Sequence, residues 1–317
     1  MAQDDTFTNP IVASAADPWV YKHTDGYYYF MCTRGSRLEL TRSTNLTGLA
    51  EGRKQTIWTP EPCGPYSSNL WAPEIHYLNN KWYIYYTAND GGGDESRRIC
   101  VLENDRANPL DGEWTWKGAL QTPVPGLDGT VLHMKDQLYF LYAGYGHYPD
   151  YGSAVYIMRM TNPWTLTGEQ TLLTAPTLEW EKQGGMAINE GPVTLRRNGR
   201  VFLIYSASTT WSEDYALGML TMDEAADPML AESWTKTMEP VFRKSVENGV
   251  YATGHNSFTK SPDDQEDWIV FHALPAPGAD TKHRATRIQK FGWNPDGTPD
   301  FGIPYGDTHA LKVPSGE

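Results

Sequence analysis

The stretch Trp82-Tyr83-Ile84-Tyr85-Tyr86 is one of five short runs in which aromatic and aliphatic residues follow one another. Such runs are typical of β-strands, because aromatic and β-branched side chains pack well on a pleated surface. The runs start at residues 27, 82, 139, 202 and 268, so they recur every 55 to 66 residues. The other four runs are Tyr27-Tyr28-Tyr29-Phe30, Tyr139-Phe140-Leu141-Tyr142, Phe202-Leu203-Ile204-Tyr205 and Trp268-Ile269-Val270-Phe271. This period indicates a repeated structural unit.

A short polar motif precedes each run by roughly ten residues. Each motif contains Pro or Gly, which interrupt regular structure, and four of the five contain a carboxylate. The motifs are Asp17-Pro18, Ala72-Pro73-Glu74, Asp128-Gly129-Thr130, Glu190-Gly191-Pro192 and Gly254-His255-Asn256.

Each unit is predicted to hold about four short antiparallel strands, with Ile57-Trp58 opening the fourth strand of the first unit. The clearest hairpin surrounds Asn198-Gly199, a pair that supplies the positive φ values of a two-residue turn. Apolar residues nowhere keep helical spacing beyond about two turns, and residues 223–234 are the best short-helix candidate. We therefore predict an all-β fold, a five-bladed β-propeller forming a single domain over residues 1–317, with a double β-sandwich as the alternative. The extended segment 7–12 is a candidate to complete the last blade.

Composition excludes several classes of protein. A net charge of −13 argues against nucleic acid and anionic membranes as partners, because both require clustered Lys and Arg. Cys32, Cys63 and Cys100 are too widely spaced for a metal site or a full disulfide framework, although one pair could be bridged. No stretch has the roughly 20 apolar residues of a transmembrane helix, and the first 15 residues are too polar for a signal peptide. The compartment stays open, with a secreted or periplasmic location slightly favoured.

The first strand of each propeller blade lines the central axis, so motifs at one matching position converge on one pocket. We therefore expect Asp17, Asp128 and Glu190 to lie together. Like charges in a confined site raise one another's pKa, which makes one of these groups a proton donor at neutral pH. A protonated carboxyl opposite an ionised one is what glycoside hydrolysis requires, and Trp71 offers a face for a sugar ring.

Other interpretations stay open at this point. Taken singly, Asp17 and Asp128 fit ordinary turns and Glu190 fits a solvated strand start, although their repeated placement favours a common site. A sugar-binding propeller without catalysis would keep the aromatic surfaces but would not need an acid and a base together. A protein-interaction propeller would place its contacts on the rim rather than on the axis.

Taken together, the motifs resemble glycoside hydrolase family 43 over essentially the whole chain. The resemblance rests on Asn9-Pro10, Ala16-Asp17-Pro18, Trp71-Ala72-Pro73-Glu74, Asp128-Gly129-Thr130, Asn189-Glu190-Gly191-Pro192 and Gly254-His255-Asn256-Ser257. It implies a five-bladed propeller that hydrolyses arabinofuranosides, arabinans or xylosides with inversion.

The resemblance also implies roles for individual residues. Asp17 would be the general base that activates water, Glu190 the general acid, and Asp128 the residue that tunes the pKa of the acid and orients it. Arg287 matches an arginine that approaches the acid and the sugar, and Ser206 is a further candidate for substrate binding. In an inverting enzyme the carboxyl groups of Asp17 and Glu190 stand roughly 6.5 to 9.5 Å apart.

His255 has two competing interpretations. By resemblance, a histidine here lies on the axis near a calcium or other ion, whereas chemistry alone favours a hydrogen-bonded structural residue. Calcium prefers oxygen ligands, so His255 would act through water. No cofactor is expected to be required, and a structural Ca²⁺ on the axis is a candidate. The remaining histidines show no ligand spacing and are interpreted as structural or surface residues: His23, His76, His133, His147, His272, His283 and His309.

The substrate prediction rests on three stretches, residues 69–74, 205–208 and 254–261. They look most like the branch of exo-acting α-L-arabinofuranosidases, which release single arabinose units from arabinan or from side chains, with β-xylosidase as the nearest rival. The expected partner is a plant cell-wall polysaccharide or oligosaccharide, and we expect the chain to be a monomer. The loops at 59–70, 88–97 and 145–153 decide between an exo-type pocket and an endo-type groove.

Overall fold

The computed structural model describes residues 5–317, so residues 1–4 of the single predicted domain lie outside the described part. Five antiparallel sheets each contain four strands that follow one another along the chain. These sheets are the blades of a five-bladed β-propeller, and each contains one of the five aromatic runs. The predicted all-β propeller is confirmed, with its blades starting where the sequence motifs occur.

The strands follow the chain order. β1 (Thr6–Phe7) comes before the blades and β22 (Leu311–Lys312) comes after them. Blade one contains β2 (Trp19–Lys22), β3 (Tyr28–Met31), β4 (Leu38–Ser43) and β5 (Arg53–Trp58). Blade two contains β6 (Ser68–Leu78), β7 (Lys81–Asn89), β8 (Arg98–Asn104) and β9 (Thr115–Ala119). Blade three contains β10 (Gly126–Met134), β11 (Gln137–Gly144), β12 (Ala154–Asn162) and β13 (Thr165–Thr174).

The last two blades repeat this arrangement. Blade four contains β14 (Asn189–Arg197), β15 (Arg200–Ala207), β16 (Ala216–Asp223) and β17 (Thr235–Lys236). Blade five contains β18 (Tyr251–Lys260), β19 (Asp267–Leu274), β20 (Ala285–Trp293) and β21 (Pro299–Asp300). Helical structure within residues 5–317 is limited to the short 3₁₀ turns Asp94–Ser96, Glu179–Glu181, Ala231–Ser233 and Thr281–His283.

Two local predictions differ from the structure. Ile57-Trp58 closes the fourth strand of blade one rather than opening it, because the strand already begins at Arg53. Residues 223–234 contain only the 3₁₀ turn at Ala231–Ser233. Pro228 has no N–H to donate, which prevents a longer helix there.

The segment ahead of blade one closes the ring against blade five. The N–H groups of Ile11 and Val12 donate to the Thr286 carbonyl at 2.9 and 3.3 Å. The Asn9 side chain both donates to and accepts from the backbone of Ile288 in β20. The segment therefore lies beside β20, where the prediction placed it. The fourth strand of blade five is nevertheless β21, and β1 pairs with β22 in a separate two-stranded sheet.

The aromatic runs form the second strand of each blade and fill the space between blades. Trp82 in blade two is fully buried, and its ring lies 4.9 Å from that of Tyr29 in blade one. Phe202 of blade four shares a buried cluster with Phe271 of blade five. Burial of each such side chain contributes about 1.5–3 kcal/mol to stability. The runs therefore hold neighbouring blades together.

The first strands, β2, β6, β10, β14 and β18, contact one another in sequence around the axis. Neighbouring strands in a blade are antiparallel, so the first strands begin at the same end of the propeller at which the second strands finish. Each polar motif lies just ahead of a first strand or within it. We call this end of the propeller the motif face. The loops that join second to third strands also lie there.

The cysteines are all free, with Cys63 exposed and Cys32 and Cys100 buried. The disulfide pair that the sequence left open is therefore not formed. In the described part of the chain, no helix is long and apolar enough to cross a membrane.

Candidate active site on the propeller axis

The predicted carboxylates meet at the motif face, although they come from three different blades. His255 Nδ1 lies 3.5 Å from Asp17 Oδ1 and 3.9 Å from Asp128 Oδ2. The backbone N–H of Gly191, next to Glu190, donates to Asp128 Oδ2 at 3.0 Å. Residues that lie more than a hundred positions apart in sequence therefore share one pocket.

A β-bulge interrupts the first strand at these motifs. In blade three the pairing register shifts between Leu127 and Thr130, and in blade four it shifts between Glu190 and Val193. Asp128 lies inside the bulge of blade three with φ at 54°. A bulge leaves its extra residue outside the hydrogen-bond ladder and redirects the side chain. Asp tolerates this left-handed conformation better than most residues, so the local sequence suits the bend.

A positive φ marks one equivalent position in every motif: Asp17, Ala72, Asp128, Gly191 and His255. Only Asp17 and Asp128 place a carboxylate there. Glu190 lies one residue earlier, so the three carboxylates are not at one matching position as the repeat alone implied. The Glu190 side chain therefore leaves the backbone at a different position of the motif than the side chains of Asp17 and Asp128 do.

The N–H groups at these positions are satisfied by the preceding blade. In four of the five motifs the acceptor is a polar side chain at or just beyond the end of the aromatic second strand. The pairs, donor first, are Ala72 with Thr33 at 2.8 Å, Asp128 with Thr87 at 3.0 Å, His255 with Ser206 at 2.7 Å and Asp17 with His272 at 3.1 Å.

The motif of blade four departs from this rule. The matching acceptor position in blade three is Ala143, whose side chain has no polar atom. Gly191 instead donates to the carboxylate of Asp128. This hydrogen bond joins the Asp128 carboxyl to the backbone beside Glu190. It therefore orients Asp128 relative to Glu190.

Asp17 is held as a carboxylate. Thr33 Oγ1 donates to its Oδ2 at 2.5 Å, and Arg284 Nη1 donates to its Oδ1 at 3.0 Å. Burial alone would raise the pKa of Asp17, but the charge of the neighbouring Arg284 guanidinium holds it well below its usual range. An ionised carboxylate is the form that accepts a proton, so Asp17 is suited to act as a base.

Glu190 has the opposite protonation state. Burial raises its pKa to about 8, and the negative charge of Asp128 adds to this rise, while the hydroxyl that Tyr215 donates at 2.8 Å works against it. Burial and the charge of Asp17 also raise the pKa of Asp128 to about 8, against the Gly191 N–H bond. Asp128 and Glu190 therefore titrate in the same range, and the charge that Asp128 gains there opposes loss of the Glu190 proton. At neutral pH both groups hold their protons, and Glu190 is suited to act as an acid.

Glu74, the axial carboxylate without a predicted role, contacts His76. Glu74 Oε2 and His76 Nε2 are 2.9 Å apart and both side chains are buried. Burial raises the pKa of Glu74 well above its usual range and lowers that of His76 to about 3. Burial therefore favours the uncharged form of both groups.

The chain matches the model of glycosyl hydrolases family 43 over residues 7–299. It belongs to this family. It is 43% identical over 311 residues to an extracellular exo-α-(1→5)-L-arabinofuranosidase of Streptomyces avermitilis, covering 95% of this chain but 64% of that protein. A protein of the same name from Streptomyces chartreusis is 39% identical over 271 residues, covering 84% of this chain and 82% of the relative.

The fold agrees with this family membership. The crystal structure of an α-L-arabinofuranosidase from Lactobacillus brevis superimposes with a TM-score of 0.91 at 39% identity. The match covers 96% of this chain and 98% of that one. The chain thus spans nearly all of this solved relative, but less than two thirds of the Streptomyces avermitilis protein.

The arginine that contacts Asp17 is Arg284, which the sequence did not single out. Arg287 is only 2% exposed, its Nη1 donates to the Tyr305 carbonyl at 3.1 Å, and its Nη2 contacts Asp307. Residues three apart on extended backbone point to opposite faces, which separates the two arginines. Arg287 therefore ties the C-terminal segment to blade five, and its predicted approach to the acid and the sugar stays a prediction.

His272, which the sequence placed among structural or surface residues, belongs to the site. It is fully buried, accepts the Asp17 N–H at Nδ1, and lies 3.4 Å from Asp17 Oδ1. Burial lowers its pKa to about 4, so its imidazole is neutral. The signal that could have identified it is position, because Thr87, Ser206 and His272 each directly follow an aromatic run.

The remaining predicted substrate residues have different surroundings. Trp71 is partly buried, and the guanidinium of Arg97 lies 3.9 Å from its ring centroid. Ser206 is fully buried and accepts the His255 N–H, so it positions His255 and has no surface to offer a sugar.

The axial ion is not supported by a ready set of ligands. Within residues 5–317, no group of three or more His, Cys, Asp or Glu side chains is arranged to hold a metal. His255 Nδ1 faces Asp17 and Asp128, whereas calcium takes six to eight oxygen ligands. These residues do not form a calcium site by themselves, and the Ca²⁺ stays a prediction.

Proposed function

We propose that this chain is an inverting glycosidase that releases terminal α-L-arabinofuranosyl units from arabinan or from arabinose-substituted oligosaccharides. The observation that carries the proposal is the convergence of Asp17, Asp128 and Glu190 in one site, where the Arg284 charge contacts Asp17 and favours its ionised form, while burial favours the protonated form of Glu190. Glycoside hydrolysis uses such a pair, one group as base and the other as acid. The names of the Streptomyces and Lactobacillus relatives support the arabinofuranoside as substrate.

The reaction then proceeds in one displacement. Asp17 accepts a proton from a water molecule as the water oxygen bonds to the anomeric carbon. Glu190 donates its proton to the glycosidic oxygen as the bond from that oxygen to the anomeric carbon breaks. The products are arabinose with inverted anomeric configuration and a shortened saccharide that carries the new hydroxyl. Exchange with solvent returns the proton from Asp17 to Glu190.

The surrounding residues keep the two groups in these states. Arg284 and Thr33 stabilise the charge on Asp17 before the reaction. Asp128 raises the pKa of Glu190, and its bond to the Gly191 N–H orients both groups together. Because these contacts exist before substrate arrives, little reorganisation is needed during the reaction.

The natural substrate and location follow from the same proposal. The Streptomyces relatives are named as extracellular, and arabinan is a polysaccharide that a cell meets outside its membrane. We therefore propose a secreted enzyme that acts on plant cell-wall polysaccharide as a monomer. Trp71 provides a partly exposed ring for the bound sugar.

Glu190→Gln tests the proposal with α-1,5-linked arabinotriose, whose poor leaving group depends on the acid. Loss of general acid catalysis lowers kcat by about 10²- to 10⁴-fold, while the protein stays folded. Glu224→Gln is the matched control, since Glu224 contacts Arg196 at the opposite end of the propeller. Unchanged turnover by the Glu190 variant would contradict the assignment.

Proton NMR of the first-formed sugar tests the stereochemistry and the substrate together. We expect the β-anomer of arabinose to appear first. The α-anomer would indicate retention, faster cleavage of β-D-xylosides would favour the xylosidase alternative, and binding without hydrolysis would favour a sugar-binding propeller.

A further inference from the structure

The loop of residues 208–215, which joins β15 to β16 at the motif face, begins beside the base. Thr210 Oγ1 lies 3.1 Å from Arg284 Nη1, the same nitrogen that donates to Asp17 Oδ1. The loop is also anchored to the preceding segment, because Thr209 donates its N–H to the Gln183 carbonyl at 3.1 Å. The position of this loop is therefore linked to that of Asp17.

The same loop ends beside the acid. The hydroxyl of Tyr215 donates to Glu190 Oε1 at 2.8 Å. The Tyr215 ring stacks on His272 at 5.7 Å with an interplanar angle of 5°. Gly254 makes room for this ring, since a Cβ at that position would lie 2.3 Å from Tyr215 Cε1. Both ends of the loop are thus fixed to the reacting groups.

Trp211 lies between these two anchors and is 54% exposed. Its indole Nε1 donates to the Gly184 carbonyl at 2.9 Å, which restricts the ring although the ring has solvent around it. A single exposed apolar side chain is ordinary at a protein surface, so the distinguishing feature of Trp211 is that its ring is held in place on a loop that borders the site. An aromatic ring held in this way suits stacking against the apolar face of a sugar.

The part of the substrate that can meet Trp211 follows from the proposed exo action. Thr210, the residue before Trp211, contacts Arg284 beside Asp17, and Tyr215, four residues later, contacts Glu190, so Trp211 lies on a loop that borders the site. An enzyme that releases the terminal arabinose has every further sugar unit on the leaving-group side of the scissile bond. An exposed ring at the edge of the site is therefore available to these further units.

We propose that Trp211 is a platform for the sugar unit on the leaving-group side of the scissile bond, the unit next to the arabinose that is released. This inference rests on the proposed function and adds a substrate class to it. The enzyme then prefers arabinofuranosyl oligosaccharides over arabinosides with small leaving groups, because only the former place a second ring on Trp211.

Trp211→Ala tests this role with two substrates, α-1,5-linked arabinotriose and methyl α-L-arabinofuranoside. Loss of one stacking contact lowers kcat/KM for arabinotriose by roughly 3- to 10-fold more than for the methyl glycoside. Trp211→Phe keeps a ring and retains most of the preference. Leu230→Ala is the control, because Leu230 is 48% exposed in the loop between β16 and β17, at the end of the propeller opposite the motif face.

The results of this experiment distinguish failure of the Trp211 proposal from failure of the proposed function. A larger loss on arabinotriose, with recovery by Trp211→Phe and unchanged thermal melting, supports the platform. Equal losses on the two substrates, or no loss on either, would overturn it while leaving the proposed function intact. Failure of the unaltered protein to cleave any α-L-arabinofuranoside would instead refute the proposed function itself.

Discussion

Removal of the Arg284 charge should shift the acid limb of the pH–rate profile to higher pH. Arg284 Nη1 lies 3.0 Å from Asp17 Oδ1, and both side chains are largely buried. At an effective dielectric constant of about 20, two unit charges at this distance attract by on the order of 5 kcal/mol. The cost of burying the charges offsets part of this attraction, so the net effect corresponds to about 1 to 3 pH units.

The direction of this shift follows from the protonation state that Asp17 needs in order to act as the base. The base must be ionised, so activity falls as the pH drops through the pKa of Asp17. Arg284 lowers this pKa, and Arg284→Gln therefore raises it. The variant loses activity at a higher pH than the unaltered enzyme does, while the basic limb, which reports on Glu190, keeps its position near pH 8.

The measurement is kcat/KM against pH with α-1,5-linked arabinotriose, whose cleavage depends on both the base and the acid. Arg287→Gln is the control, because it removes an arginine from the same stretch that contacts Asp307 instead of Asp17. That variant should lower stability without moving the acid limb. An unmoved acid limb in Arg284→Gln, or a moved one in Arg287→Gln, would refute the reasoning.

Further predictions concern the acid and its surroundings. Tyr215→Phe removes a hydrogen bond that lowers the pKa of Glu190, so the basic limb should move to higher pH, as a pH–rate profile would show. Asp128→Asn removes a charge that raises the same pKa, so that limb should move below pH 8, with lower kcat in the same assay. Gly254→Ala forces a methyl group against the Tyr215 ring and should cost about 1–3 kcal/mol of unfolding free energy, measured by urea denaturation. A crystal structure with arabinose bound should place the carboxyl groups of Asp17 and Glu190 roughly 6.5 to 9.5 Å apart, whereas about 5 Å would indicate retention.

The repeat was sufficient to predict the fold because each unit contains its own strands and turns. Trp82-Tyr83-Ile84-Tyr85-Tyr86 lies in β7, and the Asn198-Gly199 turn joins β14 to β15 as expected. Strand pairing within a blade is local in sequence, so patterning determines it directly. Strand ends were less predictable, as Ile57-Trp58 shows, since a long outer strand carries no apolar signal.

The candidate site was predictable only in part. Asp17, Asp128 and Glu190 could be found because each accompanies a repeat motif. His272 could have been found from its position directly after an aromatic run, but its contact with Asp17 could not. Arg284 has no such signal. Both residues contact Asp17 across the closure between the first and last blades, and these contacts join residues more than 250 positions apart.

The sequence by itself determined the number of blades, the strands within each blade and the carboxylates that face the axis. Only the tertiary structure decided which carboxyl group is ionised and which holds a proton. Protonation depends on burial and on charges contributed by other blades, and those exist only once the ring has closed. The acidic motifs that precede the aromatic runs are thus chemically alike in sequence, and their surroundings in the closed ring make their pKa values differ.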